Sequence, residues 1–296
     1  MLLAAPNFSE GRRSKGIAAI EAGLESEAAV LDRHVDADHN RTVFTVAGEP
    51  GAVAAALLAG ARAAIETVDM RSHAGLHPAI GALDVCPVVW LSEADRAVAE
   101  EEATSVAKAI ATELDVPTFL YGALAHSPER RERAFYRKGD LAELRRRMAS
   151  GELHQDFGPG EPHPTAGGTL ITARPPLAAF NVMVDSDDLD VVKAVAAGMR
   201  ESKGGPAGVR AIGLVLGDGR GQVSMNVHDP ISVPLGVVVE EVRRLAEPLG
   251  ARPTTAELVG LISGAALDDY PADVPIEGFD EAHHVIERRV TMAGLE

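Results

Sequence analysis

Residues 28–48 read "AAVLDRHVDADHNRTVFTVAG". Two apolar runs of strand character, AAVLDRHV and RTVFTVAG, flank a short polar stretch, so the segment is expected to be a hairpin. Its setting decides the architecture. Before it come a strand in LLAAPNF (2–8) and a helix over about 14–26; after it come a helix over about 51–68 and a strand in ALDVCPVVWL (82–91). The order is βαββαβ. It recurs in the second half as LAAFNVMV (177–184), a helix over about 187–201, VRAIGLVLG (209–217), GQVSMNVHD (221–229), a helix over about 234–249 and TTAELVGL (254–261).

That order is the split-βαβ, ferredoxin-like motif, in which four strands form one sheet and two helices cover one of its faces. The chain is therefore expected to be α+β, with two ferredoxin-like subdomains at 1–176 and 177–296. Each sheet has a face without helices, and burying one against the other leaves a cleft between them. The first half carries extra elements: a helix over about 92–114, a short strand PTFLYG (117–122) and basic helices up to Met148. GELHQDFGPGEPHPTAGG (151–168) has neither period and reads as a linker bordering the cleft.

With 46% hydrophobic and 24% charged residues among 296, the composition is that of a soluble globular protein. No apolar run approaches the roughly 20 residues of a membrane helix, and MLLAAPNFSEGRR lacks the basic start of a signal peptide. The expected location is the cytoplasm. Cys86 is the only cysteine, which excludes an internal disulfide and a cysteine zinc cage, and its apolar setting marks a core thiol. A formal net charge of -16 opposes binding to nucleic acid or anionic membranes. A small anionic substrate needs local arginines to overcome that field. PERRERAFYRKGDLAELRRRM (128–148) offers them, but its charges recur at helical spacing and read as a solvated helix face.

The polar residues cluster in a few places. SHAGLHPAIG (72–81) holds His73 and His77, with Gly75 and Pro78 opposing a shared helix, so a loop entering a strand is expected. A histidine there suits a general base, or it simply bonds backbone. The hairpin turn gathers His34, Asp36, Asp38, His39, Asn40 and Arg41, too many polar groups for a two-residue turn. It reads as a solvated loop, as a metal site, or, given Asn40 and Arg41, as a contact for an anionic substrate. At the first strand-to-helix corner stand Asn7, Ser9, Glu10 and Arg12, with Ser9 placed to cap the helix. Asn181 holds a similar place in the second half, and Gln222, Ser224 and Asn226 share one strand face.

PNFSEGR, DADHNRTVFTVAG, HAGLHPAIGALDVCPVV, LDVPTFLYG, DFGPGEPHPTAGGTLITAR, LAAFNVMV, QVSMNV and ELVGL resemble, in order, the signature stretches of glutamate formimidoyltransferases. The resemblance covers nearly the whole chain apart from about the last 25 residues. It implies two ferredoxin-like subdomains around a substrate tunnel, and transfer of a formimino group from N-formimino-L-glutamate to N5 of tetrahydrofolate, a co-substrate, with no metal. Its catalytic histidine is His77 here, with His34 and Asp84 beside it. Asn7, Asp36, Asn40, Arg41, His73, Arg174 and Asn181 become candidate contacts for the donor. Gly158, Pro159, Pro164, Gly167, Gly204, Gly205, Gly208, Ile212, Gln222 and Asn226 become candidate folate contacts. A homodimer and a separate cyclodeaminase partner are also implied.

The chain departs from the animal enzymes in three places. They carry aspartate at His34, Ser-Trp-Gly-Ala where Thr165, Ala166, Gly167 and Gly168 stand, and lysines where Pro206, Ala207 and Gly208 stand. The folate site is thus less alike than the catalytic one. A related transferase of another N5-substituted folate, a metal-dependent hydrolase built on His34, Asp36, Asp38 and His39, and a folate-binding module without catalysis are the competing expectations.

Overall fold

Proline has no N–H to give a strand ladder, and Pro6 accordingly divides the first strand into β1 (Leu2–Ala4) and β2 (Asn7–Phe8). The computed structural model describes residues 1–75 and 78–295. Two units divide the chain, Met1–Pro175 and Pro176–Glu296. Each has helices and a sheet of its own, so the protein is α+β.

In the first unit β1 and β2 are followed by α1 (Ser14–Glu25), the hairpin β3 (Ala29–Asp36) and β4 (Arg41–Gly48), α2 (Ala52–Thr67) and β5 (Leu83–Val89). Next come α3 (Arg96–Glu113), β6 (Thr118–Leu120), α4 (Leu141–Ala149) and β7 (Thr169–Arg174). Among the described residues the sheet runs β3, β4, β1 with β2, β5, β7, β6; β7 lies parallel to both β5 and β6, and the other pairs are antiparallel. Phe8 and Phe44 meet edge to face at 5.8 Å beneath Ile20, Leu24, Val53 and Leu57. Burial of these side chains against α1 and α2 holds the layers together.

The second unit runs β8 (Leu177–Val184), α5 (Leu189–Met199), β9 (Val209–Val215), β10 (Gly221–His228), α6 (Leu235–Ala246) and β11 (Pro253–Val259). Its antiparallel sheet is ordered β11, β8, β10, β9. The residues beyond 270 pack back on this unit: Ile276 bridges Ala256, Val285 bridges Ile262, and Val274, Ile286 and Val290 are buried.

Four expectations are corrected. The 151–168 stretch is not a linker; it belongs to the first unit, where Asp156 N–H donates to Thr118 O at 2.9 Å and Gly167 bridges Gly81. TLITAR (169–174) is a strand the pattern analysis passed over, its first five residues buried as in a parallel strand covered on both faces. The basic run is a solvated helix face only in part: Arg145 and Arg146 are exposed on α4, but Arg147 is 1% exposed and Arg130 pairs with Asp156 at 2.7 Å. Ser9 does not cap α1: its hydroxyl donates to Gly81 O at 2.7 Å, and the Glu10 carboxylate takes the Arg12 and Arg13 N–H groups instead. Cys86 is buried in the core, which pushes its thiol up to about 12. Among the described residues no helix is long and apolar enough to cross a membrane.

α2 begins at Gly51 with no capping side chain of its own. Glu102, buried on α3, supplies the acceptor: its Oε1 takes the N–H groups of Gly51 at 2.7 Å and Ala54 at 2.8 Å. Removing it leaves two helix-end donors without a partner. Glu102→Ala is expected to lower unfolding stability by about 1–3 kcal/mol in a urea titration, and Glu102→Gln, which keeps an acceptor oxygen, by clearly less.

Candidate active site

Asn40 ties three segments of the first unit together. It adopts a positive φ of 50°, a conformation asparagine tolerates better than most residues. Its Oδ1 accepts the Gly11 N–H at 2.9 Å, while its Nδ2 donates to Ala74 O at 3.2 Å and to His73 Nδ1 at 3.3 Å. The corner after β2, the β3–β4 turn and the 73–75 stretch therefore converge. The fit is close, since a side chain at Gly75 would strike the His39 carbonyl and one at Gly11 the Asp36 carbonyl. Arg12 reinforces it by donating from Nε to Ala37 O at 2.8 Å.

Strand register sorts the neighbouring side chains by face. Phe8 and Phe44 lie in the helix-covered core, so Asn7, Val43 and Arg41 project to the other side. Asn7 and His34 are both paired with Val43, and Asp36 with Arg41, which puts His34 and Asp36 on that same face. His34 is exposed on edge strand β3. Asn7 spends its amide donor on Ala5 O at 2.8 Å. The Asp36 carboxylate takes the His39 N–H at 2.9 Å and faces His39 Nδ1 at 2.6 Å; the His39 backbone donor is the main reason its pKa falls below the usual range.

Burial pushes His73 below the ordinary histidine range, against the opposing pull of Asp84 and Glu10. Its imidazole is neutral at pH 7, and donation from Asn40 assigns the ring proton to Nε2. Burial would raise Glu10, but the Arg13 and Arg12 N–H groups outweigh it and hold the carboxyl low.

Asp84 is buried at the start of β5. Its Oδ1 accepts the Ile80 N–H at 2.8 Å, and its Oδ2 is ion-paired with Arg137 Nη2. Ile80 O in turn accepts the Gly168 N–H at 3.0 Å, and Ala82 O accepts the Ser9 N–H at 2.9 Å. The stretch 80–82 is thereby held from three sides. His77, three residues before Ile80, lies outside the described residues.

Arginines surround Asp84. Arg41 is half-buried, its Nε has no acceptor and it makes no ion pair among the described residues. Burial lowers its pKa, opposed by Asp36 and Asp84 and reinforced by Arg137 and Arg133 nearby. Arg137 Nε is likewise buried without an acceptor. Arg174, at the end of β7, donates to Pro175 O at 3.0 Å and is pushed down by burial, with Tyr121 and Arg133 close to it.

The remaining candidates are placed as follows. In the second unit Asn181 donates to Glu257 Oε2 at 2.8 Å and is paired with Ser224, which is paired with Ile212. Gln222 is buried one row away, and Asn226 is exposed on the other side of Ser224. All project from the face opposite Phe180 and Val182, which belong to the core under α5 and α6. Gly204 closes a short turn after α5 in the left-handed conformation, Gly205 lies against the backbone of Met199, and Gly208 against His228 O. In the first unit Gly158 packs on Ala111, with Pro159 half-buried and Pro164 exposed beside it. Gly167, at φ 72°, lies against the Ile80 carbonyl. Among the described residues no group of three or more His, Cys, Asp or Glu side chains is arranged to hold a metal ion.

Residues 1–174 match the family model described as formiminotransferase domain, N-terminal subdomain, and residues 179–272 match the one described as formiminotransferase domain. The chain belongs to the formiminotransferase family. It is 36% identical over 289 residues to the glutamate formimidoyltransferase of Streptococcus pyogenes, covering 96% of this chain and 97% of that one. The glutamate formimidoyltransferase of Thermoplasma acidophilum is 32% identical over 294 residues, 97% of this chain and 96% of its own. The formimidoyltransferase-cyclodeaminase of Rattus norvegicus is 36% identical over 280 residues, which are 90% of this chain but 51% of the rat protein.

Within this family member, pattern reading singled out Asn40, Arg41 and His73 and the resemblance added Asp84, whereas Arg137, the ion-pair partner of Asp84, was read as part of a solvated face. The signal for Arg137 was present: it follows Phe135 and Tyr136 and precedes Gly139, a context unlike a solvated helix face. Phe135 and Tyr136 meet edge to face at 5.1 Å just before it. Arg137→Met strands a buried carboxylate and is expected to cost about 3–5 kcal/mol of unfolding stability. Combining it with Asp84→Asn, which removes the charge yet still accepts from Ile80, is expected to recover about 1–2 kcal/mol in a double-mutant cycle read by chemical denaturation.

Proposed function

We propose that the chain is a glutamate formimidoyltransferase that moves the formimino group of N-formimino-L-glutamate to N5 of tetrahydrofolate, within histidine degradation and one-carbon metabolism. The observation that carries this is the end-to-end match to the Streptococcus pyogenes glutamate formimidoyltransferase, 96% of one chain against 97% of the other. The geometry is in keeping with it: an imidazole that burial holds toward its neutral form, buried carboxylates, and two arginines whose Nε groups lack an acceptor, in one region of a strongly acidic chain.

In the reaction the N5 lone pair attacks the amidine carbon, the N5 proton is taken up, and the C–N bond to glutamate breaks as its nitrogen gains a proton. One histidine serves both transfers in turn, and His77 is proposed for that role from the family resemblance. His73, Asn40 and Arg41 would place the donor, with Asn7, Asp36, Arg174 and Asn181 as further contacts. His34 and Asp84 are proposed beside the base, Asp84 by fixing Ile80. The stretches from Gly158 to Gly167 and Gly204 to Ile212, with Gln222 and Asn226, are proposed for the folate. Holding both substrates in line supplies much of the acceleration.

The ferredoxin-like reading of each unit is supported by its strand order, with the chain-order first strand between the third and the fourth. Subdomains at 1–176 and 177–296, the tunnel that the resemblance implies, a homodimer, a cytoplasmic location and a cyclodeaminase as metabolic partner complete the proposal. The departures at Thr165–Gly168 and Pro206–Gly208 favour one second reading, transfer of another N5-folate substituent such as formyl.

With formiminoglutamate and tetrahydrofolate, His77→Ala is expected to lose at least about a hundredfold in kcat with little change in folate affinity. Unchanged turnover in that variant contradicts the assignment. Faster transfer from formylglutamate than from formiminoglutamate by the wild type selects the second reading.

A further inference from the structure

We propose that Arg137 and Arg41 form a seat for the side-chain carboxylate of the donor, which selects a dicarboxylic amino acid derivative over a neutral one. This rests on the transferase reading above and adds a residue, Arg137, from a stretch whose sequence reads as a solvated helix face.

Three observations carry it. The Arg137 side chain is only 10% exposed and gives Nη2 to Asp84, yet its Nε is buried with no acceptor. Arg41 Nε is in the same condition, and the two guanidinium groups lie close enough to repel each other beside Asp84. A buried N–H of a cation left without an acceptor is unfavourable, and a carboxylate is the ligand that best satisfies a guanidinium fork. Locally the balance is cationic. Arg41 has Arg137 and Arg133 as well as Asp84 and Asp36 around it, while Asp36 is already engaged by His39. A chain of net charge -16 that keeps such an excess around two unsatisfied buried donors is built to take an anion there.

The seat has a further consequence. The Asp84 that holds Arg137 also accepts from Ile80, so a carboxylate drawn to Arg137 bears on the stretch that follows His77. Donor side chain and catalytic segment are joined through one carboxylate, and Arg137 acts on the reaction as a binding and positioning residue. The same chemistry would accept the glutamyl tail of the folate, and kinetics separate the two sources.

The test compares wild type, Arg137→Lys and Arg41→Gln with N-formimino-L-glutamate and N-formimino-L-glutamine as donors. Arg137→Lys keeps a positive charge beside Asp84 and removes the Nε donor; Arg41→Gln removes the other arm without touching Asp84. The expected result is a fall of about 10- to 100-fold in the ratio of kcat/KM for the acidic donor over the neutral one, with KM for tetrahydrofolate within about twofold. An unchanged ratio, or a rise confined to the KM of tetrahydrofolate, overturns the seat. Calorimetric titration with L-glutamate keeps the two claims apart. If the wild type transfers no formimino group yet binds glutamate at least about tenfold tighter than both variants, the seat stands and the transferase reading falls. If the wild type turns over but both variants bind glutamate as it does, the reverse holds.

Discussion

The candidate site depends on one buried carboxylate. Asp84 is 2% exposed, and taking such a group out of water is unfavourable unless its oxygens are met by donors. They are met from two directions, by the Ile80 N–H and by Arg137. The first fixes the backbone entering β5; the second draws in the segment before α4, which has little regular structure of its own beyond short 3-10 turns. The pairing thus fixes two parts of the chain some fifty residues apart against each other.

Around that pair the structure uses polar side chains as fasteners. Asn40 joins Gly11 to Ala74, Ser9 joins the first corner to Gly81, and the glycines at 11, 75, 81 and 167 allow the backbones to approach. The division of labour is plain in the strands themselves: Phe8 and Phe44 serve the helix side, Asn7 and Arg41 the other. The anion binding proposed here would need a local concentration of guanidinium groups in so acidic a chain, and the start of β4, the 133–137 segment and the end of β7 each hold one or more.

Much of the fold could be read from periodicity, because half-buried strands and amphipathic helices leave their spacing in the sequence. Ser14–Glu25, Arg41–Gly48 and Leu235–Ala246 fall within about three residues of the expected spans. TLITAR was harder, since a strand covered on both faces loses its alternation and is flanked here by Gly168 and Pro175. The arginine stretch misled for a different reason. Composition reports charge, whereas whether Arg137 faces water depends on Asp84, 53 residues away in sequence, a partner that its aromatic local context does not name. Ser9 shows the same limit: its spacing suits a cap, but Gly81, distant in sequence, competes for its hydroxyl. Asn40, Arg41 and His73 stood out because polar groups crowd where apolar strands end, whereas Asp84, inside the apolar run of β5, came only from the family resemblance.

The most direct measurement is the stoichiometry of the reaction catalysed by the purified wild-type protein. With formiminoglutamate as donor, glutamate release is expected only when tetrahydrofolate is present, with one glutamate freed for each 5-formiminotetrahydrofolate formed. Release of glutamate at the same rate without the folate, as a hydrolase would give, contradicts the transfer chemistry.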